Sequence, residues 1–178
     1  MTAETMLIDF VNSGWNALHG YGNDFLWDTA GLNILLQRWG LPPQATMTAG
    51  QSEEFTALRT LLTDAVLALV ENRTPSSETL ALLNCRLAAS PVRYVLEPSA
   101  TGCRAALQPV SEADDLRSAL VRSFAQFTMD HDPARLRICA NPECHWVFYD
   151  QTRNASRRFC AKDCSTLIRV RRFRAKHR

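Results

Sequence analysis

A chain of 178 residues, 46% hydrophobic and 21% charged, can bury a core of its own, with room for one domain and a small appendage. No apolar run reaches the roughly 20 residues needed to cross a bilayer, and the opening MTAETMLIDFVNS has neither a basic start nor a continuous apolar stretch, so a cytoplasmic protein with no membrane partner is expected. The net charge of +2 hides two unlike parts: residues 1–134 balance at −7 and residues 135–178 at +9, which asks for an anionic partner at the basic end unless that end serves solubility or docks on its own acidic body.

Leu7, Phe10, Val11 and Trp15 recur at helical spacing and predict a short opening helix, followed by a glycine-broken loop through GWNALHGYGND. Asp28 can cap a second helix with Leu32, Leu35, Leu36 and Trp39 on one face, stopped by Gly40 and the Pro42–Pro43 pair. The longest helix is expected from Ser52, with Glu53 and Glu54 in its first turn and a stripe of Phe55, Leu58, Leu62, Val66 and Leu69. Ser76 opens another, carrying Leu80, Leu83 and Leu87 and closing before Pro91. Residues 92–97 and 103–109 flank PSATG and predict a β-hairpin. Ser111 and Asp114 form a capping box for a helix to about Met129, with Leu116, Leu120, Phe124 and Phe127 on its face. The HDP tripeptide then marks a boundary where composition turns basic. The expected class is mostly α with a small β-hairpin (α+β): a helical domain over 1–132 and a basic, cysteine-rich module over 133–178.

Nothing in the helical part assembles a catalytic constellation, and no enzyme is expected. His19, Asp24 and Asp28, near Tyr21 and Trp27, read as a solvated loop with packed aromatics rather than a small-molecule pocket. His131 between Asp130 and Asp132 reads as a boundary turn.

Six cysteines without an export signal point to metal or buried thiols. Cys85 and Cys103 stand alone and read as small buried hydrophobes. The other four form C-x4-C, fifteen residues, then C-x3-C: Cys139, Cys144, Cys160 and Cys164. Paired cysteines on short turns aim two sulfurs at one point, as tetrahedral zinc requires, and neither pair has the C-x-x-C spacing of a redox dithiol. Asn141 and Pro142 favour the tight turn. Trp146–Tyr149 and Arg157–Phe159 read as two strands of a hairpin, and the second cysteine pair as the start of a helix. His145, next to Cys144, offers an alternative ligand, but four cysteines already complete the shell and it reads as the start of the first strand. Knuckle, hairpin and helix make a treble-clef-like finger around one structural Zn2+, its four thiolates leaving no open position for catalysis. Trp146, Phe148, Phe159 and Phe173 are expected as its apolar cap. Beyond Cys164, a helix would carry Arg169, Arg171, Arg172 and Arg174 outward, and with Arg153, Arg157 and Arg158 on the turn these form a phosphate-binding surface.

The segment RLRICANPECHWVFYDQTRNASRRFCAKDCSTLIRVRRFRAKHR resembles the CGNR-type zinc finger of bacterial proteins, and LIDFVNS is similar to the opening of the helical ABATE domain that precedes that finger. The resemblance covers essentially the whole chain. It implies zinc on the four cysteines, DNA as the partner, and a place among stress-induced transcription regulators, with room for a small-molecule effector on the helical domain and for a homodimer. The family box Cys-Gly-Asn-Arg reads here Cys164-Ser165-Thr166-Leu167, which keeps the ligand but not the arginine. An RNA-binding or protein-interaction module, its finger only stabilising the C-terminal end, is the alternative.

Overall fold

The computed structural model describes residues 2–14, 24–26, 28–110 and 115–177. Helix α1 (Ala3–Val11) starts where the Thr2 hydroxyl accepts from the Thr5 N–H, and runs into a 3-10 turn at Asn12–Gly14. Trp15, His19, Tyr21 and Trp27 lie outside the described residues. Helix α2 (Thr29–Trp39) is capped as expected, by Asp28 accepting from Gly31 N at 2.8 Å, and ends on Gly40 at φ +68°, a left-handed position that glycine takes without strain. Gly31 is required for a different reason: a Cβ there would lie 2.4 Å from the Phe25 carbonyl oxygen.

Helix α3 (Ala49–Val70) begins before the expected Ser52, because Thr48 and Gln51 form a reciprocal capping box. Glu53 and Glu54 consequently leave the first turn. Ser52 has another use: its hydroxyl donates to the Leu26 carbonyl at 2.6 Å, tying α3 to the turn before α2. Helix α4 (Ser77–Ala89) is capped by Ser76 and buries only Leu83 fully. Strands β1 (Val92–Ser99) and β2 (Gly102–Pro109) pair in unbroken antiparallel register from Val92↔Pro109 to Ser99↔Gly102. Helix α5 (Leu116–Asp130) is capped by Asp115; the expected Ser111–Asp114 box lies outside the described residues.

Cys85 and Cys103 are exposed, contrary to expectation. The face of α4 that meets the body is held by Leu83, and Cys103 sits near the tip of a hairpin that packs mainly on itself.

The core joins α1, α2, α3 and α5. Phe10, fully buried, lies edge-on to Trp39 and Phe55 with ring centroids 6.5 Å apart in each pair, and Leu7, Leu58, Leu62, Leu120 and Phe127 belong to the same cluster. Two further members come from the basic end, Leu136 and Val147. They belong to strands β3 (Leu136–Ile138) and β4 (Val147–Tyr149), an antiparallel pair reached through a 3-10 turn at Pro133–Arg135. Helix α6 (Lys162–Lys176) closes the chain. No helix among the described residues is long and apolar enough to cross a membrane.

Candidate metal centre

Strand β4 pairs with β3, so the hairpin encloses the first cysteine pair instead of following it. The expected second strand, Arg157–Phe159, is not formed. Those residues bond elsewhere: Arg157 N donates to the Asp150 carboxylate at 2.7 Å, and the Arg158 carbonyl accepts from Ala140 N at 2.8 Å. The buried, apolar Leu136 is the better partner for Tyr149 across the ladder.

The ladder extends one step to Cys139, whose N–H donates to the Trp146 carbonyl at 2.9 Å, and Cys144 N closes the knuckle on the Asn141 carbonyl at 2.9 Å. Directly after Cys144 the chain passes through His145, φ +52°, an exposed residue in the left-handed region and not part of the strand. Asp150 folds the next segment back. Fully buried, its carboxylate accepts from Thr152 N, Thr152 Oγ1 and Arg157 N. Burial alone would raise its pKa, but these hydrogen bonds outweigh it and hold the group below the usual carboxylate range. The returning segment delivers Cys160 beside the knuckle, and Cys164 follows in the first turn of α6.

The four sulfurs lie within 4.8 Å of one another, with Cys144–Cys160 at 3.5 Å and Cys160–Cys164 at 3.7 Å. Four thiolates placed tetrahedrally at about 2.3 Å from zinc would stand about 3.8 Å apart. The set therefore fits. Amide donors already point at the sulfurs: Cys160 N to Cys139 Sγ at 3.5 Å, and the buried Asn141 Nδ2 to Cys164 Sγ at 3.7 Å. Burial pushes the Cys144 thiol up to about 11, and burial with the neighbouring sulfurs pushes Cys160 higher still. Burial also works against the Cys139 thiolate, but hydrogen bonds from the Cys160 and Asn141 backbone and from neighbouring thiols together hold its pKa below the usual thiol value. Four ionised sulfurs this close need a cation to compensate them. The described residues place no histidine or carboxylate in the cluster, so His145 is not brought to it.

Phe148, with Trp146 and Phe159 half-buried around it, forms the apolar cap. Phe173 does not join. It is 63% exposed and stacks on His177.

The arginines fall into distinct settings. Arg157 lies over the Phe148 ring, 4.9 Å from its centroid, and donates to the carbonyls of Phe159 and Cys160. Arg171 pairs with Glu143 of the knuckle at 2.8 Å and holds that carboxyl below its ordinary range. Arg153, Arg158, Arg169, Arg172 and Arg174 are exposed.

Two junction residues were not anticipated. The buried Asn12 side chain bonds β4 twice, donating to the Val147 carbonyl at 2.8 Å and accepting from Val147 N at 2.9 Å. His131, expected as a simple boundary turn, is stacked on Phe127 at 4.9 Å with Nε2 3.2 Å from Glu4. Of the loop acids, Asp24 holds Arg59 at 2.6 Å and Asp28 caps α2.

No curated protein is significantly similar to the chain. Two family models match it: a CGNR zinc finger over residues 135–177, spanning all four cysteines, and the ABATE family, described as "Putative stress-induced transcription regulator", over residues 4–136. With three quarters of its length in the second match and the sulfur cluster inside the first, the chain belongs to the ABATE family and carries a CGNR zinc finger at its C-terminal end.

Proposed function

We propose that the four cysteines hold one structural Zn2+ and that the finger built on it presents a basic surface to duplex DNA, making the chain a cytoplasmic DNA-binding regulator. The helical domain, residues 1–132, is left to sense an effector. The supporting observation is the setting of α6. Its Cys164 is anchored in the sulfur cluster while Arg169, Arg172 and Lys176, spaced three and four residues apart, line one exposed face. Arg153 and Arg158 are exposed on the returning segment and add to the positive charge of this end of the chain. Arg157 and Arg171 contribute charge while held by their protein partners, and Arg174 lies on the opposite side of the helix. Four thiolates complete the metal's shell, so the ion is a scaffold and function resides in what it positions.

The test is fluorescence anisotropy with duplex DNA, single-stranded RNA and an acidic polymer across a salt series. Sequence-dependent binding to duplex with a log–log slope of about −0.9 per neutralised phosphate is expected. The Arg169→Ala/Arg172→Ala variant should retain its zinc and show a shallower slope. Equal binding to all three polyanions would favour an RNA-binding or protein-interaction module instead.

A further inference from the structure

Helix α6 has three distinct faces. The buried Cys164 and half-buried Ile168 lie one turn apart on the side of the metal module, and Arg169, Arg172 and Lys176 form the basic face. The third consists of Asp163, Leu167, Val170 and Arg174, spaced four, three and four residues apart and so aligned along one side. This face borders a groove of about 600 Å3, with Asn141 and Ala161 at its knuckle end. Leu167 and Val170 are each 39% exposed there. Asp163 and Arg174 are exposed and have no partner among the described residues, unlike Arg171 on the flank, which is held by Glu143.

We propose that this groove receives α6 of a second copy, lying antiparallel across a twofold axis. The sequence of the face is self-complementary in that arrangement. Leu167 and Val170 share a midpoint with Asp163 and Arg174, so an axis opposite it sets Leu167 against the partner's Val170. The same axis sets Asp163 against the partner's Arg174, at both ends of the contact. A parallel pairing would instead set Asp163 against Asp163 and Arg174 against Arg174. The basic face is elsewhere on the helix, so Arg169, Arg172 and Lys176 stay outside the contact and available to an anion. Self-association thereby falls to the finger and not to the helical domain.

The helix has 15 residues and is therefore about 22 Å long. Two such helices in contact form an interface at the small end of specific ones, below about 1,200 Å2. The dimer is accordingly reversible and concentration-dependent, and it weakens with salt because its ion pairs lie at the surface.

Sedimentation velocity on the zinc-loaded full chain, without nucleic acid, tests this independently of DNA binding. The wild type should shift reversibly toward dimer as concentration rises, more so at low salt. Asp163→Arg alone and Arg174→Asp alone each place like charges at both ends and should stay monomeric where the wild type is dimeric. An equimolar mixture of the two single variants should associate, because the face of the first is then positive at both ends and meets a face that is negative at both ends. The double variant should regain self-association. Zinc content and near-ultraviolet dichroism check that each variant is folded, and Leu167→Lys, which leaves both charges in place, should also be monomeric. A wild type that stays monomeric throughout, single variants that dimerise like the wild type, or a mixture that fails to associate would each overturn the proposal.

Discussion

His145 directly follows Cys144 of the sulfur cluster and holds φ +52°. A left-handed conformation costs a non-glycine residue about 1–2 kcal/mol, which glycine would recover, less the entropy it adds to the unfolded chain. His145→Gly is therefore expected to keep full zinc content and to melt at the same temperature or slightly higher. Loss of zinc in that variant would make the imidazole a ligand after all. Asp150 makes the opposite case, a side chain whose charge the fold uses. Its folded pKa is depressed, so its contribution is present above the ordinary aspartate pKa and is lost as pH falls through the folded value. Asp150→Asn should lower the melting temperature at neutral pH, with the gap to wild type closing as the solution is acidified below the usual carboxylate range. The gathering of the four cysteines was legible in the sequence, because metal chemistry constrains spacing and residue type together. Asp150 and Asn141 were legible only as turn formers. Their bonds to Arg157 N and to the Cys164 sulfur depend on segments brought together by the fold.

At the level of elements, β4 is short, and its pairing shows why. One edge bonds β3; on the other, Val147 directs both its N–H and its carbonyl into the body, where the Asn12 amide meets both as a neighbouring strand would. Asn12→Ala removes both partners from a buried peptide group. That should cost about 2–4 kcal/mol, the penalty for two orphaned polar groups. Urea unfolding monitored by tryptophan fluorescence would measure it, and a loss near zero would mean that water replaces the amide. The long helices were read correctly from their apolar stripes, since 3.6-residue periodicity accumulates over many turns. Three-residue strands carry no such signal, and nothing in the pattern marks Leu136–Ile138 as the partner of β4 in place of the expected Arg157–Phe159. What decided it was burial: Leu136 enters the core of the helical domain. The start of α3 was missed similarly, since Ser52 is a sound cap by itself and only its bond to the Leu26 carbonyl removes it from that role.

For the molecule as a whole, the division into an acidic body and a basic end holds in charge but not in packing. The sequence boundary after HDP suggests a finger that would unfold by itself. The structure ties it in through Leu136 and Val147 in the main core, Asn12 on β4, and Glu4 reaching both His131 and Gln151. Chelation should therefore affect both parts, in different ways. A structural zinc contributes apparent binding free energy of about 10–16 kcal/mol, more than so small a module holds in its own core, so the knuckle and α6 should lose their order outright. With the knuckle open, β3 and β4 have no closed turn between them, and Leu136 and Val147 leave the core. Each is worth about 1.5–3 kcal/mol, and 1 kcal/mol shifts the midpoint of a chain this size by about 2–4 °C. The helical domain should then melt on the order of 10 °C lower in chelator than with zinc. Thermal scans with parallel helix and tryptophan probes would show this as one transition with metal and a displaced one without. An unshifted helical transition after complete zinc removal would mean that β3 and β4 stay docked without the knuckle, as part of the helical domain.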